Sequence, residues 1–359
     1  MAAKLTLPGL IDVHTHLREP GGEHKEDFTT GSAAALAGGF TTILAMPNTT
    51  PPLVTRQVLQ DTRQKAQRSI FCDVGLFAGA SPDYIDQLPG LAEHSIGLKI
   101  YLNDTFGTLR VDTLPVLLAC FERWPRHKII AMHAEGQSVA VGIGLAAAYY
   151  RPVHFCHISR REEIELIAAA KKQGLPITCE VTPHHLFLTQ ADAVRLGPLG
   201  DMRPKLAQQS DVEALWSHIN TTIDCIATDH APHTLAEKES SSPPPGVAGL
   251  ETSLPLMLTA VQEKRLTLGR LIELMVTNPR RIFNLPLQPD THIEIDADAT
   301  YTISNDDLQT KCGWTPFAGM QVTGRVECVI LRGQVVYDAS APDKLSRLLA
   351  RPGSGQIIP

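Results

Sequence analysis

The chain has 359 residues, 43% of them hydrophobic and 19% charged, with a formal charge of −6. That is the make-up of a soluble globular protein rather than a disordered or membrane-spanning one, and at about 150 residues per domain it allows two domains or one large barrel with an addition. The acidic balance argues against nucleic acid as a general partner, although a small anion feels only the local field of its cleft. Seven cysteines are scattered at positions 72, 120, 156, 179, 225, 312 and 328 with no C-x-x-C pair, so neither a disulfide framework nor a zinc ribbon is indicated. No apolar run reaches membrane length, and Met1-Ala2-Ala3-Lys4 does not begin a secretory leader, so a reducing, cytoplasmic setting is expected.

Short β-branched or apolar runs recur along the chain at 9–16, 41–48, 71–79, 97–102, 128–135, 153–159, 177–185 and 224–233. Helix-like stretches lie between them at 26–37, 82–93, 109–121, 137–149 and 160–172, the last closed by Gly174. Near-continuous apolar strands alternating with helices indicate a parallel sheet buried on both faces. Eight such units over residues 9–285 fit an α/β fold of the (β/α)8 barrel type. A doubly wound open sheet is the weaker alternative, since no G-x-G-x-x-G follows the first run. Beyond Leu285 the texture changes to short strands at 291–295, 301–303, 324–331 and 334–337, read as a small β appendage over 286–340. Residues 341–359, ending in a Gly- and Pro-rich stretch, read as a tail or linker.

Histidine is the conspicuous residue, with fourteen in the chain. If the runs are barrel strands, polar groups at their C-terminal ends face one mouth. There the sequence places His14 and His16 on one side of the first strand, Lys99 on the fourth, His133 on the fifth, His157 on the sixth and Asp229 on the eighth. A single strand histidine is more often a satisfied core residue, but this joint pattern exceeds what one catalytic metal needs and suits two. Lys99 is the odd member. An ammonium would be repelled there, whereas a neutral amine could add carbon dioxide and bridge two metals as a carbamate.

The run Asp12-Val-His-Thr-His-Leu-Arg-Glu-Pro-Gly21 resembles the first-strand signature of dihydroorotases in the amidohydrolase superfamily. Met46-Pro-Asn-Thr49, Gly97-Leu-Lys-Ile-Tyr101, Thr178-Cys-Glu-Val-Thr-Pro-His-His185, Thr228-Asp-His-Ala-Pro-His233 and Asn278-Pro-Arg-Arg-Ile-Phe283 are similar to further family motifs, in family order. The resemblance covers nearly the whole chain and is strongest to the domains found in animal multifunctional pyrimidine-synthesis proteins. It implies reversible cyclisation of N-carbamoyl-L-aspartate to L-dihydroorotate. It also implies two zinc ions, one on His14, His16, Lys99 and Asp229, the other on carboxylated Lys99, His133 and His157, with a bridging hydroxide. Asp229 would be the general acid and base. Arg18, Asn48 and His233 would hold the substrate carboxylate, with Arg203, Pro245 and Gly246 as further contacts. Thr105 and Phe106 would close over the substrate from the loop 103–110.

Read from the residues alone, Arg18 could equally be a surface ion pair with Glu19 or Glu23, and the loop an ordinary connection. Cys156 and Glu180 are structural by default, with a third zinc beside His14 as the alternative. Two competing functions stand beside the main one. An allantoinase or dihydropyrimidinase would share the ligands but leave Arg18 without a carboxylate, and a silent scaffold would be expected to have lost ligands that are all present here. Because His14 comes so early, the appendage is expected from C-terminal strands alone, as in a domain embedded in a longer multifunctional chain. A homodimer is expected, with other domains of such a chain as partners.

Overall fold

The computed structural model describes residues 4–359; Met1-Ala2-Ala3, read above for a leader, lie outside them. The first strand, β1 (Lys4–Pro8), is not part of the barrel. The barrel begins with β2 (Leu10–Thr15) and β3 (Phe40–Ala45). It continues through β4 (Asp73–Leu76) and β5 (Ala78–Gly79), two parts of one run interrupted at Phe77, then β6 (Gly97–Tyr101), β7 (Ile129–His133), β8 (Val153–Phe155), β9 (Ile177–Val181) and β10 (Cys225–Ile226). Every neighbouring pair in it is parallel. Both faces of β2 and β3 are buried, which explains their unbroken apolar character.

Closure, and not merely alternation, distinguishes the barrel from an open sheet. Thr15 bridges His230 in parallel, and the His16 amide donates to the His230 carbonyl at 2.7 Å. Asp12 reinforces the seam from inside, accepting from the Thr228 amide at 3.1 Å and from its hydroxyl. The first and last strands are thus stitched together next to the residues of interest. Among the described residues no helix is long and apolar enough to cross a membrane.

Four expectations need correction. The appendage does not come from C-terminal strands alone: β1 pairs antiparallel with β11 (His292–Thr302), which continues to β12 (Gln321–Leu331) and β13 (Gln334–Asp338). Five residues before the barrel suffice for this, since Leu7 and Ile293 close the same core. The two short runs at 291–295 and 301–303 are one strand, interrupted by register shifts that mask its continuity. The run 177–185 ends as a strand at Val181; Thr182 then caps the short helix Pro183–Phe187, so His184 and His185 sit on helix.

The tail at 341–359 is not a free linker. It ends in β14 (Ile357–Ile358), which pairs parallel with β4. Asp73 anchors it by accepting from the Gln356 amide at 2.8 Å and from Arg332 at 3.1 and 2.9 Å. Gly355 is needed for close approach rather than flexibility, because a Cβ there would lie 2.1 Å from the Cys72 carbonyl oxygen. Ile358→Ala should therefore cost about 2 kcal/mol or more in chemical denaturation, as a buried aliphatic truncation does, with metal content unchanged.

Candidate metal centre and adjoining cleft

Arg18, His157 and Asp229 all hold positive φ, at 62°, 33° and 47°. Non-glycine residues avoid this region unless the surroundings impose it. Here the seam and strand ends impose it, turning each side chain into the mouth.

The histidine ring nitrogens show what the centre lacks from protein alone. His14 donates through Nδ1 to Glu180 at 2.5 Å, and His16 through Nδ1 to Asn48 Oδ1 at 2.7 Å. In their neutral forms, both rings must then present an Nε2 lone pair, and these face the same Asp229 oxygen at 3.3 and 3.0 Å. Lone pairs and a carboxylate oxygen repel unless a cation lies among them. Nearby, His133 donates through Nε2 to Glu135 at 3.0 Å, leaving its Nδ1 lone pair 2.9 Å from His157 Nε2. These are the donors of a nitrogen- and oxygen-ligated metal site, and they fit the implied ions.

The titration of these groups is set by burial against their charged neighbours. Burial works against charge on His14, but Glu180 and Asp229 outweigh it and raise the ring to about 10. Burial would also raise Asp229, yet His14 and His16 hold its carboxyl well below the usual range. His16 is depressed to about 4 by burial, and His133 and His157 are likewise pushed down.

Lys99 is fully buried, and among the described residues it forms no ion pair with a carboxylate; its Nζ lies 2.9 Å from Cys156 Sγ. Cys156 and Glu180 do converge with His14, their ligand atoms all within 4.8 Å of one another. Glu180 is already engaged by His14, His154 and the His157 amide, which explains its place without a metal.

A cleft of about 390 Å³ adjoins the centre, lined by His14, His16, His133, His157 and Asp229 on one side and Arg18, Arg203, Pro245 and Gly246 on the other. Thr105 and Phe106 line it as well, so the loop 103–110 lies over the opening. Arg18 is buried and is not a surface pair of Glu19 or Glu23; its Nε donates to the Pro232 carbonyl at 3.0 Å. Arg203 is tied to Asp201 at 2.5 Å. Gly246 has φ 136°, and a Cβ there would sit 2.5 Å from the Ala231 carbonyl oxygen, so only glycine fits this wall.

Asn48, which also lines the cleft, and His233, both expected to contact a carboxylate, have internal partners as well. The Asn48 amide nitrogen donates to the Phe106 carbonyl at 2.9 Å while its oxygen receives His16, so it joins loop to ligand. His233 is fully buried behind Arg18 and Pro245, with Phe106 edge-on at 5.0 Å. Burial, then Arg18, Lys25 and Lys238, keep its ring neutral.

Sequence reasoning missed several participants. Asp12 and Glu135 lie two residues from His14 and His133, so the strand period could have flagged them. The Tyr101 hydroxyl is buried without a hydrogen-bond partner in a residue that lines the cleft. Lys25, in the run His24-Lys25-Glu26-Asp27, reads as a solvated charge cluster and gave no signal.

The family whose pattern matches this sequence is described as dihydro-orotase-like, over residues 3–78. The multifunctional protein CAD of Squalus acanthias is 50% identical over 99% of this chain, which spans 16% of that protein's length. A dihydroorotase of Methanosphaera stadtmanae is 36% identical, with 92% of this chain and 85% of the relative aligned. Among solved structures, an L-hydantoinase (dihydropyrimidinase) from Arthrobacter aurescens superposes with a TM-score of 0.91 at 24% identity, covering 99% of this chain and 88% of that one. An inactive dihydroorotase-like domain of a Chaetomium thermophilum CAD-like multifunctional protein gives 0.84 at 27% identity, covering 99% of both chains.

Asn48→Ala should loosen both of its partners at once. Metal affinity, measured by competitive chelation, should fall about 10–100-fold, as for other groups that orient a ligand, and amide exchange across 103–110 should accelerate.

Proposed function

We propose that this chain, which belongs to the dihydroorotase family, interconverts N-carbamoyl-L-aspartate and L-dihydroorotate at the barrel mouth. The observation that carries this reading is the placement of buried, cationic Arg18 on the same cleft as the His14, His16, His133, His157 and Asp229 cluster. One side offers a planar donor for a carboxylate, the other a site for reaction at a carbonyl.

The ions would be two zinc ions, held by His14, His16 and Asp229 on one side and His133 and His157 on the other, with Lys99 between. Bound there, they would supply Lewis acidity toward the reacting carbonyl and lower the pKa of water. Lys99 fits the bridging role as a carbamate, formed when its neutral amine adds carbon dioxide and releases one proton; the absence of a carboxylate partner for its amine supports this. The grouping of His14, Cys156 and Glu180 supports a third ion, which would have to compete with the Lys99 amine for the thiol.

Asp229 is the proton carrier. In ring opening it takes the proton of the attacking water and delivers it to the leaving ring nitrogen; in ring closure it takes the proton of the ureido nitrogen as that nitrogen attacks the side-chain carboxylate carbon and returns it to the departing oxygen, which leaves as water after taking up one further proton from solvent. Arg18 orients the substrate by its free carboxylate. Arg203 and the backbone at Pro245 and Gly246 wall the ring, while Thr105 and Phe106 exclude solvent from a condensation that releases water. We place the protein in the cytoplasm, as a homodimer and as one domain of a multifunctional pyrimidine-synthesis chain; the relatives it resembles support the last point.

A hydrolase of uncharged cyclic amides is supported by fold likeness, but it leaves the buried Arg18 without a carboxylate to meet. Metal-loaded protein assayed with carbamoyl aspartate, hydantoin, dihydrouracil and allantoin separates the readings. Cyclisation of carbamoyl aspartate alone is expected, and turnover of none would indicate a scaffold. Asp229→Asn should lower kcat by at least about 10²-fold, the usual scale for removing a general acid and base, while retaining metal on the remaining ligands.

A further inference from the structure

His233 is approached by two cations that both require its lone pair. Lys25 Nζ lies 3.1 Å from Nδ1, and an Arg18 terminal nitrogen lies 2.9 Å from Nε2. Lysine and arginine have only donors, and a neutral imidazole has a single lone pair. One of the two contacts must therefore go without a hydrogen bond. The Pro245 carbonyl, 3.0 Å from Nε2, decides which one: a carbonyl only accepts, so it favours a proton on Nε2 and the lone pair on Nδ1.

We propose that Lys25 is a positioning residue for the substrate carboxylate: by donating to Nδ1 it fixes His233 with its proton on Nε2, denies Arg18 an internal acceptor and so keeps that guanidinium free for the ligand. This rests on the carboxylate reading given above. Lys25 is buried against this site, with its Nζ 2.9 Å from Glu237 and 4.6 Å from the centre of the Phe106 ring. Phe106 also stacks edge-on against His233 and lies 5.4 Å from the Arg18 guanidinium carbon. The loop therefore closes onto the same trio that handles the anion. If Lys25 is removed, the Glu237 carboxylate, already 3.9 Å from Nδ1, becomes the natural acceptor for a proton there. Nε2 would then accept from Arg18, and the substrate would have to break that bond to bind.

The test is Lys25→Met, an apolar side chain of similar length, with Lys25→Arg as the variant that keeps a donor. Nitrogen-proton correlation spectra of histidine-labelled, metal-loaded protein report the tautomer without substrate, and His233→Gln assigns the signal. Wild-type His233 should be protonated on Nε2. Lys25→Met should move the proton to Nδ1 and raise KM for carbamoyl aspartate about tenfold, the scale of one lost hydrogen bond to a charged group, with kcat within about threefold. Lys25→Arg should restore both the tautomer and KM. Metal content and thermal stability identify a merely structural effect. A wild-type proton on Nδ1, an unchanged tautomer in Lys25→Met, or a tautomer change without a rise in KM overturns the proposal. Absence of turnover in the wild type would defeat the functional reading instead, and the spectra would still report on Lys25.

Discussion

A carboxylate oxygen facing two imidazole lone pairs cannot be held in place by those groups alone. Asp229 is in that position against His14 and His16, and the barrel mouth is organised around holding it there. Each ring has its far nitrogen committed, to Glu180 and to Asn48, so neither can rotate its proton toward Asp229. The seam between the first and last strands, tied by Asp12 to Thr228, prevents the two sides from separating to relieve the repulsion. A cation is the remaining remedy, and His14, His157 and Asp229 are grouped closely enough to hold one.

The opposite wall of the cleft has the reverse electrostatics. Arg18, Lys25 and Lys238 crowd a neutral His233, with Glu237 as the nearby carboxylate. The buried lysines are stabilised by different means. Lys238 is lowered to about 8 by burial and is surrounded by the carbonyls of Asp201, Pro244 and Gly246, which makes it a clamp for the loop carrying Pro245. Lys25 shares itself between Glu237 and His233. Lys99 has a thiol neighbour. The three lysines thus differ in the company burial gives them. The overall charge of −6 is silent on all of this, because the field that matters extends over a few ångströms.

Legibility in the sequence followed the kind of constraint involved. The convergence of polar groups at strand ends is readable because a two-residue period and a shared barrel mouth are properties of the chain itself, as with His14, His16 and Asp229, which line one cleft. Groups whose role depends on contacts between distant segments were not. Lys25 meets His233 across 208 residues, and Asp12 meets Thr228 across 216. The boundary near Thr182 has a different, local origin: Thr182 turns the chain from strand to helix by capping, a signal that the run through His185 obscures. The glycines of the tail looked flexible, and it takes the neighbouring Cys72 carbonyl to show that they permit packing.

The β appendage bears on the chemistry as well as the fold. Between β11 and β12 the chain leaves its sheet and crosses to the barrel mouth. There Glu26 receives the Thr310 hydroxyl and the Lys311 amide, and the Trp314 indole donates to the His233 carbonyl at 2.7 Å. Thr315 adds a bond to the Ala248 carbonyl at 3.0 Å. The segment bearing Asp229 and His233 is therefore held from outside by a loop whose two ends are anchored in a separate sheet. That sheet gains its edge from β1, immediately before the strand that carries His14 and His16. The same few residues of chain thus set the register of the strand leading to His14 and anchor the sheet whose loop braces the far side of the cleft, which couples the two walls through the β appendage and its side-chain bonds.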